Sequence, residues 1–194
     1  MDLSISAAVS WGLVSLFVLA ALSIVWMSWR NGISPMPASA LVRRAVTAEI
    51  NRSSGGGLIL EAGSGWGTLG IHLAKYCQPR QVRGVENSPI PLAVSRMMAW
   101  LTFGARKPAA RAVFVKGDIY QISYREAEAV VCYLFPGAMR RLAPIFREQL
   151  GAEARVISVC FALPGWEPER IITCGDLYRT RIYVYGNKNR QPSD

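Results

Sequence analysis

The chain of 194 residues has one histidine and four cysteines, and these scarce residues show no metal-binding spacing. The cysteines Cys77, Cys132, Cys160 and Cys174 form no CxxC pair, and His72 lies in an apolar stretch with helical spacing. Structural zinc needs four Cys or His ligands at close, regular spacing. We therefore predict no metal, and free, mostly buried thiols typical of a reducing compartment.

Acidic residues are also scarce: 13 Asp and Glu stand against 22 Lys and Arg, for a net charge of +9. Such an excess attracts nucleic acid or the anionic leaflet of a membrane. The sequence has no dense Lys/Arg run with interleaved aromatic residues. We therefore predict a membrane-bilayer partner and no nucleic-acid partner.

Charge is absent altogether between Leu3 and Trp29, a stretch dominated by Leu, Val, Ala, Ile, Phe and Met. About 20 such residues span a bilayer as a helix. We therefore predict that residues 1–30 form a transmembrane anchor. A cleaved signal peptide would begin with Lys or Arg, whereas this chain begins Met1-Asp2. Positive charges follow the stretch at Arg30, Arg43 and Arg44. This asymmetry predicts a single-pass protein with its domain on the cytoplasmic side, at the inner membrane if bacterial.

After the apolar stretch, we predict that residues 31–57 form a linker with two prolines and a pre-domain helix from about Ser39 to Ile50. We predict one catalytic domain over residues 58–185 and a polar, disordered tail over residues 186–194.

A glycine-rich turn opens this domain. The apolar segment Leu58–Glu61 runs into Ala62-Gly-Ser-Gly-Trp-Gly67, and Thr68–Tyr76 has helical periodicity. Strand, glycine turn and helix begin a nucleotide-binding βαβ unit, in which a ligand approaches the backbone closely. The predicted cofactor-binding residues in this segment are Glu61, Gly63, Ser64, Gly65 and Gly67.

Two further acids follow predicted strands. Gln81–Glu86 ends in an acid that can accept hydrogen bonds from ribose hydroxyls, and Asn87 follows it. The next strand, 111–115, leads to Gly117-Asp118-Ile119, where Asp118 can accept from an adenine amine. We add Glu86, Asn87, Asp118 and Ile119 to the predicted cofactor site.

Two cofactors fit this pattern. Residues 65–70 form GxGxxG with Glu86 about twenty residues on, which is compatible with NAD. Glu61 precedes the glycines, however, and its carboxylate would repel a pyrophosphate but attract the cationic amino group of S-adenosyl-L-methionine. The sequence therefore favours S-adenosylmethionine.

The whole stretch from Leu58 to Tyr185 resembles class I S-adenosylmethionine-dependent methyltransferases. The resemblance implies an α/β, Rossmann-like fold with a seven-stranded, mostly parallel sheet, helices on both faces and a final antiparallel strand pair at one edge. We expect helices near residues 89–103 and 137–150, and strands near 129–136, 170–174 and 178–185.

A narrower resemblance comes from the C-terminal half. The pattern Ala154-Arg-Val-Ile-Ser, Phe-x-Leu-Pro-x-Trp166-x-Pro168, with Pro35-Met-Pro37-Ala-Ser upstream, resembles a family of membrane-anchored lysine methyltransferases with prokaryotic relatives. Mitochondrial members modify the adenine nucleotide translocase and the ATP synthase c subunit. That family usually has Asp where this chain has Glu61 and Trp66. The resemblance implies a lysine-bearing membrane protein as substrate; a lipid or quinone methyltransferase and a non-catalytic nucleotide-binding module are the alternatives.

Methyl transfer to lysine needs a neutral amine, and an aromatic-lined channel would favour it by desolvation. Tyr133-Leu-Phe-Pro136 follows the fourth predicted strand, on the substrate side of class I enzymes. We predict that Tyr133 and Pro136 act in catalysis, and that Phe135 and Trp166 contact the substrate.

Overall fold

The computed structural model describes residues 2–31, 37–53, 55–77, 80–104 and 111–186. The chain divides into two compact units, residues 1–35 and 36–194. The first unit is one helix, α1 (Asp2–Asn31). Within the described residues, no helix combines the length and the apolar character that crossing a membrane requires. The predicted transmembrane helix over residues 1–30 is therefore not supported by the structure.

The second unit alternates helices and strands along the chain. Its helices are α2 (Ala40–Asn51), α3 (Thr68–Tyr76), α4 (Pro89–Phe103) and α5 (Pro136–Gln149). Its strands are β1 (Leu58–Ala62), β2 (Gln81–Glu86), β3 (Ala112–Lys116), β4 (Ala127–Cys132), β5 (Arg155–Val159), β6 (Arg170–Thr173) and β7 (Arg181–Gly186).

These strands form one seven-stranded sheet in the order β3-β2-β1-β4-β5-β7-β6. β1 to β5 pair in parallel, whereas β7 pairs antiparallel with both β5 and β6. The predicted sheet and its antiparallel pair at one edge are confirmed. From β1, the sheet is extended on one side by β2 and β3 and on the other by β4 and β5. In α/β folds, ligands bind beyond the carboxyl ends of the strands at such a switch in strand order, here between β1 and β4.

The element boundaries agree with the sequence to within one residue except at β4 and before β7. The predicted strand 129–136 is wrong at both ends: β4 begins at Ala127 and stops at Cys132, because Pro136 fills the first turn of α5 and Phe135 is its N-cap. The predicted strand 178–185 begins only at Arg181, after a turn in which Arg179 has a φ of 48°. The proposed linker residues 32–36 and the tail beyond Gly186 lie outside the described residues.

Each face of the sheet has its own hydrophobic core. One core combines buried residues of α2, α3 and α4, such as Val46, Leu73 and Ala99, with Ile59 and Ile157 of the sheet. The other combines residues of α5, such as Leu142 and Phe146, with Leu60, Val130 and Tyr185. The three helices α2, α3 and α4 therefore cover one face, and α5 covers the opposite one.

A buried ion pair ties the amino ends of the strands together. Arg80, just before β2, contacts Glu128 of β4 with 3.1 Å between Nε and Oε1. Arg80 also donates to Ser53, and Glu128 accepts from the backbone N–H of Gly57. This network fixes the loop that links α2 to β1.

Candidate active site

The glycine turn between β1 and α3 can be built only with glycines. Gly63, Gly65 and Gly67 have φ values of 75°, 51° and 76°, which disfavour any side chain. A Cβ on Gly63 would lie 2.6 Å from Leu134 Cδ2, and one on Gly67 would lie 2.6 Å from Ser95 Cβ. The turn is therefore closely packed at Gly63 and Gly67, where a side chain would not fit.

Hydrogen bonds hold the same turn against β2. The backbone N–H groups of Gly63 and Ser64 both donate to Val85 O at 3.0 Å. The Ser64 hydroxyl is buried and has no hydrogen-bond partner within the described residues. The predicted turn residues are thus brought together as expected.

Glu61 is the most unusual group in the site. It lies in β1, is 4% exposed, and its Oε2 has no regular hydrogen-bond partner among the residues described. A Cβ on Gly70 would lie only 2.4 Å from Oε2, and the Gly70 N–H faces the carboxylate. Burial, with a smaller contribution from Glu86, raises the Glu61 pKa to about 8. A buried carboxylate of this kind is suited to receive a cation.

Glu86, at the end of β2, is also buried, but both of its oxygens have partners. Oε2 accepts from the Gly65 N–H at 2.8 Å, and Oε1 accepts from the Ser88 N–H at 2.8 Å. Each carboxylate oxygen can accept a second hydrogen bond, so ribose hydroxyls can still donate to it. Asn87 is exposed beside it, and its Oδ1 accepts from the Ser88 hydroxyl at 3.2 Å.

Asp118 and Ile119 follow β3, which pairs with β2 so that Glu86 lies opposite Lys116. Asp118 Oδ1 accepts from the Tyr120 N–H at 2.9 Å, and Ile119 O accepts from the Tyr124 hydroxyl at 2.7 Å. Both residues are half-buried. The three predicted acids therefore lie at or just beyond the carboxyl-end region of the neighbouring strands β1, β2 and β3, as expected for one cofactor crevice.

The predicted substrate residues are not all brought together. Tyr133 packs on the core beneath α2, α3 and α4, whereas Phe135 and Trp166 pack on the core beneath α5. Trp166 is 7% exposed and lies edge-on to Tyr185, with 6.0 Å between ring centroids. Pro136 is exposed at the first position of α5. The structure thus places Tyr133 and Trp166 on opposite faces of the sheet, and their functional roles stay predictions.

Sequence reasoning did not find Cys160 as a neighbour of Tyr133. Cys160 follows β5, has a φ of 71° and is half-buried. Burial, with a hydrogen bond to Cys160, raises the Tyr133 pKa to about 12, so its phenol is neutral near pH 7. The other three cysteines are buried, and all four are free thiols, as predicted.

With this geometry established, comparison with known proteins identifies the family. Residues 61–170, which contain Glu61, the glycine turn, Glu86, Asp118 and Tyr133, match the ANTKMT methyltransferase domain. The chain belongs to this methyltransferase family. Its site is thus the part of the sequence that the family shares.

Two relatives match this chain over different shares of its length. An adenine nucleotide translocase lysine N-methyltransferase of Mus musculus is 28% identical over 129 residues, which are 66% of this chain and 53% of the mouse protein. A protein-lysine N-methyltransferase of Saccharolobus islandicus is 27% identical over 147 residues, 75% of this chain and 87% of that protein. The matched region thus spans only about half the length of the mouse relative.

Among solved structures, an RNA methyltransferase from Salinibacter ruber, in complex with S-adenosyl-L-homocysteine, superposes with a TM-score of 0.70 at 26% identity. The match covers 82% of this chain and 98% of the Salinibacter chain. The class I methyltransferase fold predicted from the sequence is therefore confirmed.

Proposed function

We propose that this chain is an S-adenosylmethionine-dependent protein-lysine N-methyltransferase. The observation that carries the proposal is the family match over residues 61–170, because that segment holds the whole candidate site. The mouse and Saccharolobus relatives are both described as lysine N-methyltransferases. These names support lysine over a lipid or quinone as the methyl acceptor.

The residues present fit the cofactor. Glu61 offers a buried carboxylate without a regular partner to the cationic amino group, and the turn at Gly63, Gly65 and Gly67 gives close backbone approach. Glu86 can accept from the ribose hydroxyls, and Asp118 is available to the adenine amine. The bound cofactor supplies an electrophilic methyl group on a positively charged sulfur.

NAD fits the same residues less well. The Glu61 carboxylate, once ionised, would repel a pyrophosphate near the glycine turn. The matched family is a methyltransferase family, which also favours S-adenosylmethionine.

The tasks left to the protein are alignment and control of charge. In-line transfer needs the amine, methyl and sulfur in one line, and the protein contributes mainly by holding them there. A lysine side chain must lose its proton before it attacks, and a desolvated channel lowers its pKa. Tyr133 contributes a neutral phenol to the carboxyl end of β4, where it can accept a hydrogen bond from the incoming amine.

The test is to incubate the purified chain with isolated membranes and radiolabelled S-adenosylmethionine. We expect label in protein, recovered as methyl-lysine after acid hydrolysis. Glu61→Gln should lose the labelling, whereas Glu126→Gln, an exposed acid outside the site, should keep it.

Other distributions of the label would contradict the proposal. Label in the organic extract would assign a lipid or quinone substrate, and label in added RNA would assign the activity described for the Salinibacter neighbour. Tight cofactor binding without any transfer would indicate a non-catalytic binding module.

For location, we propose that α1 attaches the enzyme to a membrane, with the catalytic domain on the cytoplasmic side. The support is the uncharged stretch Leu3–Trp29 and the exposure of α1 side chains such as Trp11 (72%) and Phe17 (75%). Cell fractionation should recover the protein with membranes after an alkaline wash, and the domain should resist protease added from outside. Recovery in the supernatant would refute this location.

A further inference from the structure

The chain segment that forms α2, α3 and α4 exposes charged side chains of one sign in its described residues. Between Ala40 and Lys116 the chain has 11 Lys and Arg and three acids. All three acids, Glu49, Glu61 and Glu86, are buried. No acidic side chain is therefore exposed in the described part of this segment.

The cations on these helices are close to one another. Burial is the main cause that lowers the His72 pKa on α3, and Arg43, Arg44 and Lys75 add to it. Glu49, the one acid on the three helices, is engaged by Arg52 at 2.9 Å and by Arg170 at 3.3 Å. Neither α2 nor α3 exposes an acidic side chain.

Next to this basic region, α4 exposes large apolar side chains. Met97, Trp100 and Leu101 are 53%, 54% and 62% exposed, and their i, i+3, i+4 spacing puts them on one side of the helix. Met98 is 42% exposed beside them. The helix contains no acid and one Arg, Arg96. Leu41 of α2 (45%) and Tyr76 of α3 (51%) are exposed as well.

We propose that this helical face, the outward side of α2, α3 and α4, docks flat on an anionic lipid bilayer. Trp100 and its apolar neighbours would enter the headgroup boundary while Arg44 and Lys75 contact the anionic lipids. Exposed apolar residues combined with Lys and Arg are the signature of interfacial binding. This docking is a second, separate contact beyond attachment through α1, and it does not depend on which substrate is methylated.

Other occupants fit this face less well. A second copy packed by two-fold symmetry would bring the same cations against each other. Nucleic acid would pair with the cations but would leave Met97, Met98 and Leu101 unmatched. The face of the sheet covered by α5 is less suited to an anionic surface. Arg141 lies over the Tyr120 ring, and Arg147 donates to Gly165 O. Glu148 and Glu153 add negative charge there.

The experiment uses the full chain with vesicles whose acyl chains carry bromine, which quenches nearby tryptophan. Trp100 is isolated by subtracting the emission of Trp100→Phe from that of the wild type, so that the tryptophans of α1 cancel. In vesicles of phosphatidylcholine with phosphatidylglycerol, we expect the Trp100 emission to fall by about half or more. In pure phosphatidylcholine or at high salt, the fall should be much smaller.

A matched pair of variants tests the basic residues. Arg44→Gln with Lys75→Gln should reduce the quenching of Trp100, whereas Arg125→Gln with Arg140→Gln, equally exposed but outside the helical face, should not. Equal effects of the two pairs, or an unquenched Trp100 in anionic vesicles, would overturn the docking. Protection of Trp100 in a lipid-free dimer would assign the face to a second copy. Methyl transfer in detergent is measured separately, so failure of the docking is distinguishable from failure of the enzyme.

Discussion

The two halves of the catalytic domain use acidic residues in opposite ways. Residues 40–116 contain 11 Lys and Arg and three acids, whereas residues 117–186 contain eight of each sign. In the first half every acid is buried; in the second, Glu126 and Glu153 are among the acids that face solvent. In its described residues, the first half thus buries all of its acids and some of its cations, such as Arg80, and every charged side chain that it exposes is positive.

Burial of a carboxylate costs free energy unless a partner offsets it. Glu49 has two arginines as partners, and Glu86 has two backbone N–H groups. Glu61 has neither an arginine nor two regular donors among the described residues. Among the three, Glu61 thus lacks a protein partner of this kind, and we propose that its partner is the bound cofactor.

The largest expected effect concerns the ion pair that joins the two halves, Arg80 with Glu128. Arg80→Met should lower the free energy of unfolding by about 2–3 kcal/mol, because it leaves a partly buried carboxylate without its cation. Urea denaturation followed by circular dichroism measures the change. The control is Arg83→Met, three residues on and exposed, which should change stability by less than about 0.5 kcal/mol. If the two variants lowered the free energy of unfolding equally, the ion pair between Arg80 and Glu128 would have no special role in joining the two halves.

The second prediction concerns the buried acid itself. Glu61→Gln should weaken S-adenosylmethionine binding on the order of 100-fold, because a hydrogen bond to a charged group contributes about 1.5–3 kcal/mol. The stability of the free protein should not fall, since the variant removes a buried ionisable group. Calorimetric titration and a thermal melt measure the two quantities. Glu61→Asp keeps the carboxylate and should bind within about tenfold of the wild type; a Gln variant that binds like the wild type would reject Glu61 as the partner of the amino group.

The positions of the proposed cofactor residues could be predicted because each of them lies in or just after a strand, while their roles in binding stay predictions. Glu61, Glu86 and Asp118 are in or follow β1, β2 and β3, and parallel neighbouring strands bring such positions together. Glycines at Gly63 and Gly67 show where the backbone takes a positive φ. Local pattern and one topological rule were sufficient there.

The substrate side could not be predicted in the same way. Tyr133 and Trp166 could line the same substrate channel only if both side chains packed on one face of the sheet. They pack on opposite faces, and the sequence does not show which face a side chain occupies once its strand has ended. The contact of Tyr133 with Cys160 follows from the pairing of β4 with β5, which is a long-range feature. The network of Arg80 likewise joins three segments that are distant in sequence.

A third prediction separates the two buried acids beside the glycine turn. Glu86→Gln should weaken cofactor binding about tenfold, less than Glu61→Gln, because the Gln amide oxygen can still accept from a neutral ribose hydroxyl, whereas Glu61→Gln removes the charge that faces a cation. S-Adenosylhomocysteine keeps the ribose and the amino group. Its affinity should therefore also fall more in Glu61→Gln than in Glu86→Gln. A larger loss for Glu86→Gln than for Glu61→Gln would reverse the assignment of the two acids.

The smallest expected effect is the number of protons that the protein releases when it binds the cofactor. The Glu61 pKa is raised from 4.5 in the unfolded chain to about 8 in the fold, so between these values the folded protein holds a proton that the unfolded chain has lost. The contribution of Glu61 to stability therefore falls as pH rises from about 4.5 to 8, and Glu61→Gln should flatten that fall. A cationic ligand reverses the preference, because it stabilises the carboxylate and lowers its pKa. Cofactor binding at pH 7 should thus release up to one proton, seen as a binding enthalpy that changes with the ionisation enthalpy of the buffer. Release that persists in Glu61→Gln would place the titrating group elsewhere, and the first half of the domain would then contain a buried acid without an identified partner.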